Sequence, residues 1–200
     1  MANKTEVFNR ALIKIGVNTI ASPDDPSEQA RKCSLVYPSL TRAELRKNPW
    51  SFAITRSALP ALSAAPAYGW GYAYQLPSDF VRVVQVGDYW DFAQIRNATD
   101  QPDVPYALEG GAILSNQGAP LRLRYVRDVL EDTEVWDDLF TEAFACRLAM
   151  EVCESLTKNQ TKFANVVKWY KESIAEAKRL NAIETPPVPL PDNSWITGRL

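Results

Sequence analysis

The chain has 200 residues and a net charge of -2, from 22 lysines and arginines against 24 aspartates and glutamates, and no window gathers five basic residues into a block. That balance gives no sign of a nucleic-acid-binding face, and the complete absence of histidine removes the commonest general base near neutral pH and the commonest metal ligand. A chain of this length suits one domain, or one domain carrying an insertion, and folding it buries roughly 70% of its extended surface, enough for a core without staples.

The opening stretch MANKTEVFNRALIKIG lacks the uncharged apolar centre of a signal peptide, and no run approaches the ~18 apolar residues of a membrane span. The expectation is a protein made and kept in the cytoplasm until something assembles it. The same stretch predicts a short amphipathic helix. Asn3 and Glu6 form a capping box, Val7, Ala11 and Ile15 share a face, and Gly16 is a natural stop. In DDPSE, Asp25 is placed to cap a second helix, with Pro26 at its first position and Glu28 closing the box. Ala30, Cys33, Tyr37, Leu40 and Ala43 then recur at helical spacing as far as Lys47, ahead of Pro49. Pro38 has no N–H for Ser34 and predicts a kink or a split near Tyr37.

Pro49 ends that helix in the stretch NPWSFAITRSALP, residues 48–60. Trp50 and Phe52 are placed to fold back on the junction between helices and sheet, while Arg56 stays wet. Over residues 68–127 the apolar period becomes alternating, in the runs YAYQL, FVRVVQV, YALEGGAILS and LRLRYVR. EGG reads as the hairpin turn between residues 106–108 and 112–114, and Leu121, Leu123 and Tyr125 point opposite to Arg122 and Arg124. A small antiparallel sheet with one wet face is expected, and 89–105 is expected to be mostly loop.

After Asp137 the helical period returns. Phe140, Ala143, Phe144, Leu148, Met150, Cys153 and Leu156 form one stripe and, after a turn at 158–160, Phe163, Val167, Tyr170, Ile174 and Ala177 form another; a short turn between long helices makes them antiparallel neighbours. The prolines of ETPPVPLPDNSWITGRL predict an extended, polyproline-like tail. The fold class is therefore α+β: an antiparallel helical bundle (1–67 and 128–183) with an inserted small antiparallel sheet region (68–127) and an extended C-terminal arm (184–200).

Chemistry is sparse. Cys33, Cys146 and Cys153 lack metal spacing, and the last two sit too far apart on one helix for a disulfide; all three read as small buried apolar residues. Gly69, Gly71, Gly110 and Gly111 open no helix and precede no Lys-Ser/Thr pair, so no nucleotide or other cofactor is expected. Glu131, Asp132, Glu134, Asp137, Asp138 and Glu142 form an acidic cluster, either a two-carboxylate hydrolase pair or a set of carboxylates placed for a helix dipole, and the second account fits better. Trp50, Trp136 and Trp169 are expected in the core. Trp70, Trp90 and Trp195, on loops or the tail, are better candidates for a protein interface.

Taken in order, Cys33, Tyr37, R42-A-E-L45, P49-W50-S-F52-A53, Arg56 and Leu59, then YAYQLPSDFVRVVQV, LRLRYVRDV and FTEAFACRLAMEVCESLT, resemble the tail tubular protein A family of short-tailed bacteriophages. The ordered motifs cover residues from about 7 to 157, and their order is more specific than any one of them. The resemblance implies a structural, non-enzymatic adaptor between portal protein and tail nozzle protein: helices bearing a β insertion, assembled as a dodecameric ring through which DNA passes without sequence-specific binding. It implies a place in the virion, at the head-tail interface, after synthesis in the host cytoplasm. It also sets Leu76 and Pro77 beside Pro49, Trp50 and Phe52 as a structural joint. In the arm, Pro187, Pro189 and Pro191 preset the backbone, Trp195, Ile196 and Leu200 offer apolar anchors, and Arg199 meets an acidic group on a partner. Two alternatives stay open: a carbohydrate hydrolase using the acidic cluster, and a cytoplasmic helical module that binds a partner through its proline-rich tail.

Overall fold

A computed structural model describes residues 3–87 and 105–184 as four helices and two three-stranded antiparallel sheets, an α+β protein. The described chain falls into two units, a helical one of residues 3–54 and 126–184 and a sheet unit of residues 55–87 and 105–125. The arm beyond 184, and most of the stretch expected as loop at 89–105, lie outside the described residues.

Helix α1 runs Lys4–Lys14, with the Asn3 side chain accepting from Glu6 N at 2.8 Å. Its buried face is broader than the predicted stripe, since Phe8 and Leu12 join Val7, Ala11 and Ile15 at zero exposure. Gly16 follows at φ +66, a left-handed conformation glycine adopts without a Cβ penalty.

Helix α2, Glu28–Lys47, departs from expectation at its start. Its cap is Ser27, whose Oγ accepts from Ala30 N at 3.3 Å. Asp25 is engaged elsewhere, accepting from Ala21 N and Ser22 N at 2.8 and 3.3 Å, and so fixes the preceding turn instead. Glu28 pairs with Lys32 one turn on, at 2.6 Å. The helix also continues through Pro38 without a split. Hydroxyls around the proline bond nearby carbonyls, Ser39 Oγ to Val36 O and Thr41 Oγ1 to Tyr37 O, both at 2.9 Å, the back-bonding by which serine and threonine sit inside helices. Ala43 is exposed, and the inward positions on that turn are Thr41, Glu44 and Leu45.

Asp137 caps α3, Asp138–Thr157, by accepting from Leu139 N and Phe140 N at 2.9 and 3.1 Å. Lys158, at φ 50, ends it, and Asn159 caps α4, Gln160–Ile183. Cys146 Sγ lies 3.9 Å from Ser173 Oγ, about equally far in sequence on either side of that turn, so the two helices run back along each other. All three cysteines are buried and unpaired, and burial pushes the Cys33 thiol up to about 12. Trp169 departs from expectation: it is 41% exposed, and Tyr170 and Val166 turn inward in its neighbourhood. Among the described residues, no helix is long and apolar enough to cross a membrane.

In the sheet unit, strand β1 (Ile54–Leu59) begins well ahead of the expected boundary at 68. With β3 (Phe80–Val86) and β6 (Leu121–Arg127) it forms a sheet of order β1-β6-β3. Strands β2 (Tyr72–Gln75), β4 (Tyr106–Glu109) and β5 (Ala112–Ser115) form a second, of order β2-β5-β4. The loop between β4 and β5 is Gly110-Gly111, with φ +56 and +81, the primed two-residue turn that EGG announces. Two sheets replace the single one expected because their inner faces share a core of Leu59, Tyr74, Val86, Ile113, Leu121, Leu123 and Tyr125, and sheets this small gain stability by covering one another.

Candidate functional site

The stretch around Trp50 enters the interior of the helical unit. Pro49 is exposed, Trp50 is 1% exposed and Phe52 is half-buried. The Trp50 ring meets Phe140 edge-on with centroids 4.9 Å apart and stacks on Phe52 at 6.2 Å, while Phe52 lies 4.9 Å from Phe140. Its indole N–H donates to Glu44 O at 3.1 Å, so the one polar atom of the ring is satisfied. The chain either side is held to the end of α4: Asn181 accepts from Ser51 N at 2.8 Å and donates to Pro49 O at 3.3 Å. Further in, Tyr37, Trp136 and Phe144 continue the aromatic cluster at centroid distances of 5.1 to 6.3 Å. Tyr37 and Trp136 donate to Leu130 O and Val129 O, each at 3.1 Å.

Beneath Trp50 lies a residue that the sequence pattern did not single out. Glu44 is 1% exposed, and its carboxylate accepts from Lys47 Nζ at 2.6 Å and from Tyr170 OH at 3.1 and 3.0 Å, with Arg147 Nε at 3.5 Å. One carboxylate therefore ties α2 to both α3 and α4. Burial and the Glu44 charge raise the Tyr170 pKa. Burial works against the Lys47 charge, yet the hydrogen bond and charge of Glu44 outweigh it, and its pKa is raised. This arrangement satisfies a buried charge.

The acidic cluster disperses into separate tasks. Asp137 is the α3 cap, Asp132 pairs with Arg127 at 2.9 Å, and Glu142 pairs with Lys14 and, at 3.7 Å, with Arg10. Among the described residues no group of three potential ligands is placed to hold a metal. A pocket beside Trp50, lined also by Asp137, Leu180 and Asn181, has a volume of about 80 Å³, and another at Lys158 and Phe163 about 170 Å³, both smaller than the ~300 Å³ at which small-molecule sites begin.

No family model matches this chain, and no curated protein matches it.

Leu76 and Pro77 belong to the sheet unit, both half-buried. Leu76 packs against its core and accepts a place in the second sheet's end through its N–H, which donates to Gly111 O at 3.1 Å. Pro77 opens a tight turn closed by Phe80 N to Pro77 O at 3.1 Å, and within that turn Asp79 accepts from Tyr125 OH at 2.9 Å. The five joint residues thus divide between the two units, three in the helical one and two in the sheet unit. Trp70 is half-buried on a loop. Trp90 and the arm residues Pro187, Pro189, Pro191, Trp195, Ile196, Arg199 and Leu200 lie outside the described residues.

Proposed function

We propose that the protein is a structural head-to-tail adaptor of a short-tailed bacteriophage: an antiparallel helical bundle with an inserted β unit and an extended C-terminal arm, working as a ring between portal and tail nozzle in the virion. The observation that carries the reading is where the motif residues meet. Arg42, from the R-A-E-L motif, pairs at 2.6 Å with Asp128, from LRLRYVRDV. Asp79, from LPSDF, accepts from Tyr125 of that same later motif, and Trp50 packs on Phe140, the first residue of FTEAFACRLAM. Segments far apart in sequence, picked for their order alone, clasp one another within each unit, as a shared scaffold requires. A near-neutral chain also suits a conduit, because each neutralised phosphate adds affinity that would hold DNA back.

The test is to purify the protein, mix it with purified portal protein, and image the product. The expected result is a monomer or small oligomer alone and a closed ring on the portal. Failure to engage portal under any condition refutes the adaptor reading, and polysaccharide turnover lost on Asp138→Asn would point to the hydrolase in its place.

A further inference from the structure

Among the described residues strand β4 has one partner, β5, and so forms an edge of the second sheet. The Gly110-Gly111 turn fixes which of its backbone groups are engaged. In a two-residue hairpin the flanking pair, here Glu109↔Ala112, exchanges both ladder hydrogen bonds, and bonded and non-bonded pairs then alternate along the ribbon. Ala107↔Leu114 is the next bonded pair, so Leu108 and Tyr106 direct their N–H and C=O groups away from β5. No other described residue bonds those four groups. The side chains at the same two positions are uncovered as well: Tyr106 is 39% and Leu108 46% exposed, whereas Ser115 and Ile113, opposite them on β5, are buried. The sheet therefore stops one strand short of covering its own apolar row. Charge, proline or brevity normally guards such an edge. Pro105 and Glu109 bracket this one and leave 106–108 open between them.

The same chain carries a segment suited to fill it. Pro186, Pro187, Pro189 and Pro191 deprive residues 186–191 of the donors a ladder needs and make them a stiff spacer of about 19 Å in polyproline geometry. Beyond the spacer, residues 192–200, DNSWITGRL, contain no proline, and Trp195, Ile196 and Thr197 are of the types that favour strands. Strand addition to an exposed edge takes affinity from main-chain bonds and specificity from alternate side chains. A short strand bonded to Tyr106 and Leu108, with Trp195 on their face, meets both needs. The edge and the added strand are different surfaces of one chain, so the contact is head to tail, the kind that closes into rings.

We propose that residues 193–197 of one copy add as a fourth strand to the β4 edge of a second copy. The proposal rests on the adaptor reading, for which it supplies a contact between neighbouring subunits.

Cross-linking in the full-length protein tests it, because the three native cysteines are fully buried and do not compete. Chains carrying Glu109→Cys are mixed with chains carrying Ser194→Cys, alone and with portal, and treated with a short bis-maleimide. The expected product is a mixed covalent species of twice the chain mass. Leu35→Cys, on the exposed face of α2, replaces Glu109→Cys as the control for random collision. A mixed yield no higher than that control overturns the proposal, as does a bridge that forms only inside a single chain bearing both cysteines. Proline variants then read the backbone. Successive N–H groups of a strand point to opposite sides, so either Ile196→Pro or Thr197→Pro should reduce the yield to that of the control. Leu108→Pro on the acceptor should do the same, and β4 tolerates it because that N–H faces away from β5; Leu108→Val, which keeps the N–H, should retain the bridge. A bridge that survives all three prolines is side-chain docking without a ladder and overturns the proposal. Portal binding measured in parallel separates the claims. Portal bound with no bridge refutes the strand addition alone; a bridge with no portal binding supports the strand addition and refutes the adaptor reading.

Discussion

Replacing Trp50 by alanine removes a side chain that is 1% exposed, packs on Phe140 and Phe52, and donates to Glu44 O. Large-to-small truncation of a buried aromatic costs about 3 to 5 kcal/mol. For a chain of this size each kcal/mol lowers the melting temperature by about 2 to 4 °C, so Trp50→Ala should melt roughly 6 to 20 °C below the parent. Trp50→Phe separates the two contributions. It retains a ring against Phe140 but removes the indole donor and part of the ring volume, leaving a buried carbonyl one bond short, at a cost of about 1 to 3 kcal/mol for the lost bond and a smaller cavity than the alanine variant leaves. Far-UV circular dichroism follows the helical unit through the transition, and urea titration checks that the slope is unchanged, so that a midpoint shift reads as stability. An alanine variant melting within about 2 °C of the parent refutes the assignment of Trp50 to the core, and the same result with portal binding lost moves it to an interface.

Glu44→Gln keeps the shape of the hub but removes the charge that Lys47, Arg147 and Tyr170 converge on; it should lower the urea midpoint by the equivalent of about 1 to 3 kcal/mol, and an unchanged midpoint would show the hub to be dispensable. Lys14, Lys47, Tyr37 and Tyr170 all have raised pKa values, from ordinary values of 10.5 for lysine and 10.0 for tyrosine. Each holds its proton more tightly folded than unfolded, so its contribution is complete below those ordinary values and is lost as pH rises beyond them. Urea midpoints measured into alkali should fall from about pH 10 upward, less steeply in Tyr170→Phe; a flat profile contradicts the sign. Pro38→Ala restores an N–H to the middle of α2 and should raise stability by about 2 kcal/mol, the helix-interior penalty of ~3 less about 0.4 to 1 for the stiffer unfolded chain, whereas a lower melting temperature would mean that the proline fits its site better than alanine.

Helix periodicity was most legible in α4, where the stripe of Phe163, Val167, Tyr170, Ile174 and Ala177 is half-buried or buried throughout. Glu44 was not, because a charged letter at an inward position reads as a break in the stripe, although it stands one turn after Leu40 and two after Tyr37. Its partners Arg147 and Tyr170 are more than a hundred residues away, and no local pattern announces them. Strand β1 escaped for a similar reason. Thr55, Arg56 and Ser57 carry no apolar alternation, and only Leu59 is buried, so pairing with β6 rather than composition makes that strand. The Ser27 cap was obscured by the stronger-looking Asp25-Pro26 pair, which serves the turn before it. Trp169 shows the limit of residue type as a guide to burial: its helical position leaves the ring 41% exposed below the Lys14 ammonium, 6.0 Å from its centroid.

The division of the helical unit into two stretches, 3–54 and 126–184, sets a timetable for synthesis. The aromatic cluster around Trp50 and Tyr37 is incomplete until Phe140 and Phe144 of α3 arrive. At ribosomal rates of about 5 to 20 residues per second, the interval between the ends of α2 and α3 lasts roughly 5 to 20 s, during which α1 and α2 offer bare apolar faces to whatever is nearby. The described sheet unit, by contrast, lies wholly between residues 55 and 125 and has all its strands available before α3 leaves the ribosome. The nascent chain should therefore acquire protease resistance first in its middle, and a trigger-type holding chaperone should engage the emerging N-terminal helices and let go only once α3 is out.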